Sequence, residues 1–258
     1  MPVTLPVPQA GEPGWAMFLD VDGTLLSLAE HPDAVVVPEG LPRLLARLKA
    51  ALGGALALVS GRSLASLDAL LGEAGLDAAG CHGAEIRQDG TIRTTRETGV
   101  PFPRIAERLA QLSDGIPHTM VELKPHSVAF HYRPKALDAL RARQLAVAAI
   151  AGEEGRLRLL DGKQVVEILP QTAGKGAVIG RFLDRPPFRD RIPVFVGDDV
   201  TDEEGFREVN ARQGISIHVG RDGGTSAQYS VASASDVLAW LSGPVCRSLG
   251  CHLGKGAP

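Results

Sequence analysis

Short apolar runs alternate with helix-like stretches along most of the chain, and this alternation constrains the fold more than any other feature. Residues 15–19, 55–59 and 193–197 are apolar runs of strand length. Stretches such as residues 38–52 carry leucines at the three- and four-residue spacing of a helix. Strands that alternate with helices are typical of a parallel sheet with helices on both faces. We therefore predict an α/β fold with a doubly wound, mostly parallel, Rossmann-like core sheet. Residues 78–86 read as one further strand, followed by a hairpin turn at Asp89-Gly90.

The pattern changes between residues 101 and 170. Alternating runs at 120–124 and 128–133, and a hairpin-like stretch that turns at Asp161-Gly162, are typical of antiparallel strands. We predict an inserted α+β domain at 101–170 that interrupts a core formed by residues 15–100 and 171–243. The proline-rich residues 1–14 are predicted to be a flexible N-terminal segment, and residues 244–258 a loose C-terminal tail.

Composition excludes several classes of protein. The chain has 258 residues with 27 basic and 30 acidic side chains, a balance that argues against a nucleic-acid-binding surface. Its three cysteines are too few for a disulfide framework, which favours a reducing compartment. The N-terminal residues lack the basic and apolar regions of a signal peptide, and no apolar run is long enough for a membrane span. We expect a cytoplasmic protein that binds neither nucleic acid nor membrane.

Clustered carboxylates follow two of the predicted strands. Asp20 and Asp22 come at the end of the first strand, in F-L-D-V-D-G-T-L-L, and P-V-F-V-G-D-D-V-T-D-E places Asp198, Asp199 and Asp202 after a later one. Helix capping explains one of the later acids but hardly all of them. Like charges this close repel unless a cation lies between them, and ligands bind at the carboxyl ends of strands in such sheets. The sequence therefore predicts a shared Mg²⁺, which takes one or two carboxylates and a substrate phosphate.

Two further residues could hold a phosphate. Ser60 ends a predicted strand in L-V-S-G-R, and Lys175 begins the helix that follows the insert. On their own stretches alone, Ser60 could equally be a helix N-cap, and a lysine such as Lys175 is more often a solvated surface residue. A dinucleotide-binding oxidoreductase is excluded, because no G-x-G-x-x-G follows the first strand.

The ordered set of aspartate pair, serine, lysine and acidic cluster resembles the haloacid dehalogenase superfamily of phosphohydrolases, and the insert resembles its type 2 cap. Further motifs narrow the resemblance to the trehalose-6-phosphate phosphatase family, over about residues 15–241. They are H-P-D-A-V-V-V-P at 31–38, L-V-S-G-R at 58–62, G-C-H-G-A-E at 80–85, V-V-E-I at 165–168 and G-D-D-V-T-D-E at 197–203.

The resemblance implies a role for each motif residue. Asp20 would attack phosphorus and become an aspartyl phosphate, while Asp22 would protonate the leaving sugar oxygen and then activate water. Mg²⁺ would be held by the Asp20 carboxylate, the Asp22 backbone carbonyl and Asp198. Asp199 and Asp202 would orient the metal ligands, and Ser60 and Lys175 would hold the phosphate and the nucleophile.

Recognition of the sugar would fall to a second group of residues that match the family. They are His82, Gly83, Glu85, Glu122, Lys124, Arg133 and Glu167, with Arg62 and His131 as weaker candidates that could instead be structural. From spacing alone, Glu122 and Lys124 could instead form a solvated face of a strand. The chain departs from the expected small turn in E-L-K-P-H-S, and the aim of this turn at the sugar could therefore differ.

Alternative functions stay open at this point. A related sugar phosphatase, such as one for sucrose phosphate, would share the cap, and a non-catalytic phosphosugar-binding regulator would share the scaffold. The presence of Asp20, Asp22, Ser60, Lys175 and Asp198 favours an enzyme. We expect a monomer that acts on trehalose 6-phosphate, and leave an association with trehalose-phosphate synthase open.

Overall fold

The structure is a computed structural model of the chain. It describes residues 4–12, 14–28, 35–72, 75–94, 100–153, 155–162, 164–220 and 224–251. The chain divides into two compact units, residues 1–93 with 174–258 and residues 94–173, which we call the core and the cap. The motif at 31–38 lies partly outside the described residues. No helix in the described ranges is both long and apolar enough to cross a bilayer.

The strands in chain order are β1 Trp15–Leu19, β2 Leu56–Val59, β3 Asp77–Gly80, β4 Glu85–Gln88, β5 Thr91–Thr94, β6 Met120–Lys124, β7 Ser127–His131, β8 Leu157–Gly162, β9 Val165–Pro170, β10 Ile192–Gly197, β11 Ile215–Val219 and β12 Tyr229–Val231. The α-helices are α1 Leu41–Ala51, α2 Leu64–Leu71, α3 Phe102–Leu112, α4 Ala139–Ala149, α5 Lys175–Leu183, α6 Glu203–Ala211, α7 Ala234–Trp240 and α8 Cys246–Ser248.

The core contains a sheet with the strand order β12-β11-β10-β1-β2-β3-β4-β5. The strands from β12 to β3 run parallel, and β4 pairs antiparallel with β3. This confirms the predicted α/β fold with a mostly parallel sheet. The first strand is central, since Trp15 pairs with Ile192 of β10 and Met17 pairs with Leu56 of β2.

Both faces of the central strands β1, β2 and β10 are buried, which explains their continuous apolar runs. Side chains alternate between the faces of a strand. In β1, Met17 and Leu19 belong to a core cluster of mainly leucine and valine. Phe18 points into a second cluster on the other side, where its ring lies 5.4 Å from Phe188 and 5.9 Å from Phe182 between centroids.

The predicted strand at 78–86 is in fact two strands joined by a reversal. Cys81, His82 and Gly83 have φ angles of 48°, 53° and 94°, and the positive values turn the chain back so that β4 runs antiparallel to β3. The predicted hairpin at Asp89-Gly90 is present, with the two positive φ angles that a type I′ turn requires. The other predicted turn is displaced, because β8 continues through Gly162.

The described residues near both ends of the chain are packed or hydrogen-bonded, whereas the sequence predicted loose segments there. Helical structure continues from α7 through a π-helical turn at Leu241–Val245 into α8, and Val245 and Cys246 are buried in the core cluster. Trp240 Nε1 donates a hydrogen bond to the Pro6 carbonyl at 3.0 Å, and Ser248 Oγ donates one to the Pro8 carbonyl. Apolar side chains one helical turn apart at 241, 245 and 249 explain this packing. These contacts are a finding on the described residues of the segment predicted to be flexible at 1–14 and of the tail predicted to be loose at 244–258. Residues 252–258 lie outside the described ranges.

The cap is an antiparallel sheet with the order β6-β7-β9-β8. On one face, Phe130 and Ile168 pack with Leu109 of α3 and Leu145 of α4 in a separate apolar cluster. Because side chains alternate along a strand, the neighbouring residues of β7 and β9 point to the other face. That face carries the polar side chains of the cap strands, including Glu167.

Candidate active site

Three carboxylates meet at the carboxyl edge of the core sheet. Asp20 directly follows β1, and Asp198 directly follows the neighbouring parallel strand β10. Asp202 closes a short 3₁₀ turn just after β10. Each residue offers an oxygen that lies within 4.8 Å of those of the other two. The structure thus brings together three of the five acidic residues that the sequence analysis singled out.

Lys175 is the cation of this cluster. Its Nζ lies 2.9 Å from Oδ1 of Asp20 and 2.5 Å from Oδ1 of Asp202. The side chain is only 3% exposed, so Lys175 is not a solvated surface lysine. It is the first residue of α5, and the residue before it, Gly174, donates its backbone N–H to the His82 carbonyl at 2.7 Å. The helix therefore begins at a fixed point beside the β3–β4 reversal.

Asp202 organises the loop after β10. Its Oδ2 accepts hydrogen bonds from the backbone N–H groups of Asp198 and Asp199, each at 3.0 Å, while Oδ1 accepts from Lys175. Asp199 caps the same turn by accepting from the Val200 N–H at 2.7 Å. Asp199 therefore supports the loop rather than joining the carboxylate cluster, whereas Asp202 does both.

Gly23 permits the close approach of the two acidic loops. Its φ is 78°, and a Cβ placed on it would lie 2.0 Å from Oδ2 of Asp198. Only glycine combines that backbone angle with the absence of a Cβ. The next residue, Thr24, donates its hydroxyl to Oδ1 of Asp198 at 3.4 Å.

Burial and crowded charge shift the protonation equilibria of the cluster. Burial, followed by the negative charge of Asp202, raises the pKa of Asp198 to about 6. Burial also raises the pKa of Asp20 well above its ordinary range, although the ammonium of Lys175 opposes this shift. For Lys175, burial alone would lower the pKa, but Asp20 and Asp202 raise it above the ordinary lysine value. Lys175 therefore stays protonated, and the carboxylates compete for one positive charge.

This donor set fits a divalent cation. The Lys175 ammonium can offset the charge of one carboxylate but not of three, and burial followed by the negative charge of Asp202 raises the pKa of Asp198. Carboxylate oxygens are the ligands that Mg²⁺ prefers. Asp20 and Asp198 are the residues that would hold the ion, because both oxygens of Asp202 already accept hydrogen bonds.

Asp22, the second acid of the first motif, lies outside the cluster and pairs with Arg62. Both its carboxylate oxygens accept from the guanidinium, from Nε at 2.7 Å and from Nη2 at 2.7 Å. The guanidinium of Arg62, a candidate for substrate binding, is thus directed to Asp22.

The remaining core candidates lie just after β2, in the β3–β4 reversal and at the start of β4. Ser60 follows β2 and is buried, and its Oγ accepts the Arg62 N–H at 3.2 Å. His82 is buried against Gly61, where an added Cβ would lie 2.9 Å from its Nε2. Glu85 accepts the backbone N–H of Leu64, the first residue of α2, at 2.8 Å. Gly83, with φ 94°, completes the reversal between β3 and β4.

The cap candidates form two small polar groups on one face of the sheet. Glu167 is 8% exposed and its Oε1 accepts from Ser127 Oγ at 2.7 Å and from Lys124 Nζ at 3.2 Å. Glu122 contacts Nε2 of His131 at 2.9 Å. The cross-strand register aligns these side chains, since Lys124 lies opposite Ser127 and Ala129 separates Glu122 from Glu167.

Arg133 does not join these groups. It follows β7, and its Nη1 donates to the Tyr132 carbonyl at 3.2 Å.

Sequence reasoning missed two residues that contact this machinery. Ser127 supports Glu167, and its position opposite Lys124 in a hairpin was the available signal. His218 is the penultimate residue of β11, next to β10, and its Nε2 lies 3.2 Å from the Asp198 carbonyl oxygen. A polar residue at the end of a third neighbouring strand was the signal for His218.

Comparison with known proteins agrees with this geometry. Residues 18–236 match a family model described as trehalose-phosphatase. The chain belongs to the trehalose-phosphatase family. Within this family it is 45% identical over 207 residues to a probable trehalose-phosphate phosphatase of Sinorhizobium fredii, covering 80% of this chain and 78% of the relative. It is 40% identical over 230 residues to trehalose-6-phosphate phosphatase of Escherichia coli, covering 88% and 85%.

The fold agrees as well. The C-terminal domain of Candida albicans trehalose-6-phosphate phosphatase superposes with a TM-score of 0.73 and 19% identity, covering 93% of each chain. At that identity the likeness bears on the fold alone. Members of the trehalose-phosphatase family are phosphoric monoester hydrolases, and the chain is therefore an enzyme of that class.

Proposed function

We propose that this protein is a Mg²⁺-dependent phosphatase that hydrolyses trehalose 6-phosphate to trehalose and phosphate through an aspartyl phosphate on Asp20. One observation carries the proposal. The buried carboxylate at the end of β1 contacts Lys175 and lies among the carboxylates of Asp198 and Asp202, on a chain that is 40% identical to a trehalose-6-phosphate phosphatase.

Asp20 is positioned to act as the nucleophile. Lys175 contacts its Oδ1, and a second lone pair on that oxygen would be available to Mg²⁺, which leaves the other oxygen to attack phosphorus in line with the departing sugar oxygen. The phosphorus–oxygen bond to the sugar breaks as the bond to Asp20 forms, and Asp22 delivers a proton to the leaving oxygen. Water then attacks phosphorus, Asp22 takes its proton, and Asp20 is released as a carboxylate.

Positive charge and hydrogen-bond donors support the transferred phosphoryl group. The Ser60 hydroxyl and the Lys175 ammonium hold its oxygens, since positioning and charge neutralisation supply most of the catalysis in phosphoryl transfer. A Mg²⁺ ion held by Asp20, the Asp22 backbone carbonyl and Asp198 would neutralise further charge on the phosphate.

The cap residues Glu122, Lys124 and Glu167 are proposed to bind the hydroxyl groups of the sugar. Their carboxylates and ammonium lie on one face in a fixed pattern, as recognition of a polyhydroxylated disaccharide requires. His82 and Glu85 support the loop that adjoins Ser60. We further propose that the protein acts in the cytoplasm as a monomer; an association with trehalose-phosphate synthase stays a separate question.

Phosphate release from a panel of sugar phosphates tests the proposal. Trehalose 6-phosphate, sucrose 6-phosphate and glucose 6-phosphate are compared with Mg²⁺ and with EDTA, and Asp20→Asn, which preserves the size and one accepting oxygen of the side chain, serves as the inactive control. We expect Mg²⁺-dependent release that is strongest with trehalose 6-phosphate and absent in Asp20→Asn. Preference for sucrose 6-phosphate would favour the related sugar phosphatase. Binding of the sugar phosphate without turnover would favour the non-catalytic regulator. Near-normal activity in Asp20→Asn would refute the assigned nucleophile.

A further inference from the structure

The peptide group between Asp198 and Asp199 is held from both sides by side chains. Its N–H, which belongs to Asp199, donates to Oδ2 of Asp202 at 3.0 Å, and its carbonyl oxygen, which belongs to Asp198, lies 3.2 Å from Nε2 of His218. A carbonyl oxygen can only accept, so Nε2 must carry the hydrogen. The N–H and the C=O of a trans peptide point in opposite directions. Rotating this peptide group about the chain direction would therefore break both contacts.

This peptide group helps to direct the Asp198 side chain. Asp198 follows the last residue of β10, and its own N–H donates to the same Oδ2 of Asp202 at 3.0 Å. The peptide groups on the two sides of a Cα determine the direction of its Cα–Cβ bond. Asp202 holds the N–H side of both groups, and His218 holds the carbonyl between Asp198 and Asp199. The hydroxyl of Thr24 reaches Oδ1 of Asp198 only at 3.4 Å, which is long for an O–H donor, so it adds little.

The ring of His218 is itself held in place. His218 lies opposite Gly197 in the parallel register of β10 and β11 and is 7% exposed. Its ring meets Phe206 of α6 edge-on, with 6.3 Å between the centroids. Gly220 approaches the ring from another side, where an added Cβ would lie 3.0 Å from Cε1. The position of the donor nitrogen is therefore set by the sheet and by α6.

We propose that His218 is a positioning residue that sets the affinity of the site for Mg²⁺ by holding the backbone of Asp198. It is not a ligand itself, because its Nε2 is engaged by the Asp198 carbonyl, and within the described ranges the candidate ligand group comprises Asp20, Asp198 and Asp202. Replacing a residue that orients a metal ligand typically lowers metal affinity by about 10- to 100-fold. This inference rests on one part of the proposed function, the binding of Mg²⁺ by Asp198.

Two substitutions of equal size separate the hydrogen-bond donor from the bulk of the ring. His218→Gln places an amide N–H near the position of Nε2, whereas His218→Met has a similar length and no donor. We expect His218→Met to raise the Kd for Mn²⁺ about 10-fold, the lower end of the range, because His218 contacts the backbone and not a ligand oxygen. His218→Gln should stay within about 3-fold of wild type. The Kd is measured without substrate, from the EPR signal of free Mn²⁺, and so does not depend on activity.

The Mg²⁺ dependence of trehalose 6-phosphate hydrolysis gives a second readout. In His218→Met the Mg²⁺ concentration for half-maximal activity should also rise about 10-fold. At saturating Mg²⁺, kcat and the KM for the sugar phosphate should stay within about 3-fold of wild type. A residue that merely stabilises the fold would lower the amount of active enzyme and leave the Mg²⁺ dependence unchanged.

Ser216 provides a matched control on the same strand. It is fully buried, lies two residues before His218 on the same face of β11, and its Oγ donates to Oδ1 of Asn210 at 2.7 Å. Ser216→Ala removes a buried hydrogen bond of this strand that does not involve Asp198. Its Kd for Mn²⁺ should equal that of wild type.

The outcomes separate the two proposals. A raised Kd in His218→Met that His218→Gln restores, with Ser216→Ala like wild type, supports the positioning role. An unchanged Kd in His218→Met, or the same increase in both His218 variants, would overturn it, as would an Asp198→Asn protein that binds Mn²⁺ normally. If His218→Met does not fold, His218→Asn replaces it, because its amide nitrogen corresponds to Nδ1 and does not reach the carbonyl. A wild-type protein that binds Mn²⁺ but hydrolyses no sugar phosphate would refute the proposed function alone.

Discussion

Replacing Lys175 with methionine should lower the free energy of unfolding by about 3 kcal/mol at pH 8 in the absence of divalent cations. The substitution preserves the length and apolar stem of the side chain but removes the ammonium that contacts Asp20 and Asp202. Lys175 is 3% exposed and Asp202 is fully buried. Water therefore has little access to the carboxylates that would lose their cation.

The size of the effect follows from which groups remain satisfied. Removing one partner of a buried ion pair generally costs about 3–5 kcal/mol. Asp202 keeps two backbone hydrogen bonds, from Asp198 and Asp199, which places the expected cost at the lower end of that range. The pKa of Asp20 is already raised by burial and should rise further without its cation. A folded state with a raised carboxyl pKa binds more protons than the unfolded state, so its stability increases as pH falls. The difference in unfolding free energy between wild type and Lys175→Met should therefore be smaller at pH 5.5 than at pH 8.

Urea unfolding in EDTA at pH 8 and pH 5.5 measures both expectations. Arg212→Met is the control, because its Nε contacts Glu208 at 2.7 Å in an i,i+4 pair whose arginine is 41% exposed. Such exposed pairs contribute about 0.5 kcal/mol. A Lys175→Met protein within about 1 kcal/mol of wild type at pH 8, or with the same deficit at both pH values, would refute the reasoning.

Three further results are expected. Gly23→Ala should lower phosphatase activity at least about 100-fold, because the new Cβ would displace Asp198; Gly72→Ala, with a similar φ of 74° and nothing within 4 Å, incurs only the backbone cost and should stay active. Glu167→Ala should reduce hydrolysis of trehalose 6-phosphate far more than that of p-nitrophenyl phosphate, and equal losses would remove Glu167 from sugar recognition. Val245→Asp should lower the urea-unfolding free energy by about 3 kcal/mol or more, whereas a change within about 0.5 kcal/mol would mean that this segment does not pack.

The parallel sheet could be predicted because β1 and β10 are apolar at nearly every position, a pattern that arises when both faces of a strand are covered. The reversal between β3 and β4 could not. It depends on positive φ at Cys81 and His82, residues that carry no turn signal of their own. The helical structure from Leu241 to Ser248 could not be predicted either. Gly243 and Pro244 usually terminate a helix, but here they lie within a π-helical turn.

In the candidate site, too, some contacts could be predicted from the sequence and others could not. Acids at the ends of neighbouring parallel strands must share an edge of the sheet, so the approach of Asp20 to Asp198 follows from topology. The pairing of Arg62 with Asp22 does not, because the direction of the guanidinium depends on side-chain contacts such as that of Nη1 with Ser66 Oγ. Spacing along the sequence carries no information on such rotamers.

The central position of β1 has a consequence for how the chain acquires its fold during synthesis. One neighbour of β1, β2, emerges early, but the other, β10, is translated only after the entire cap. At roughly 5–20 residues per second, a ribosome needs on the order of 10–30 s to pass from Trp15 to Ile192. During that interval β1 has an unpaired edge, and Phe18 lacks Phe182 and Phe188, the rings that cover it in the finished core. Unpaired strand edges bind other chains. We therefore expect chaperones to bind the nascent protein at β1, the strand that precedes Asp20. A ribosome that stalls before β10 would leave a product with this edge exposed and prone to aggregation.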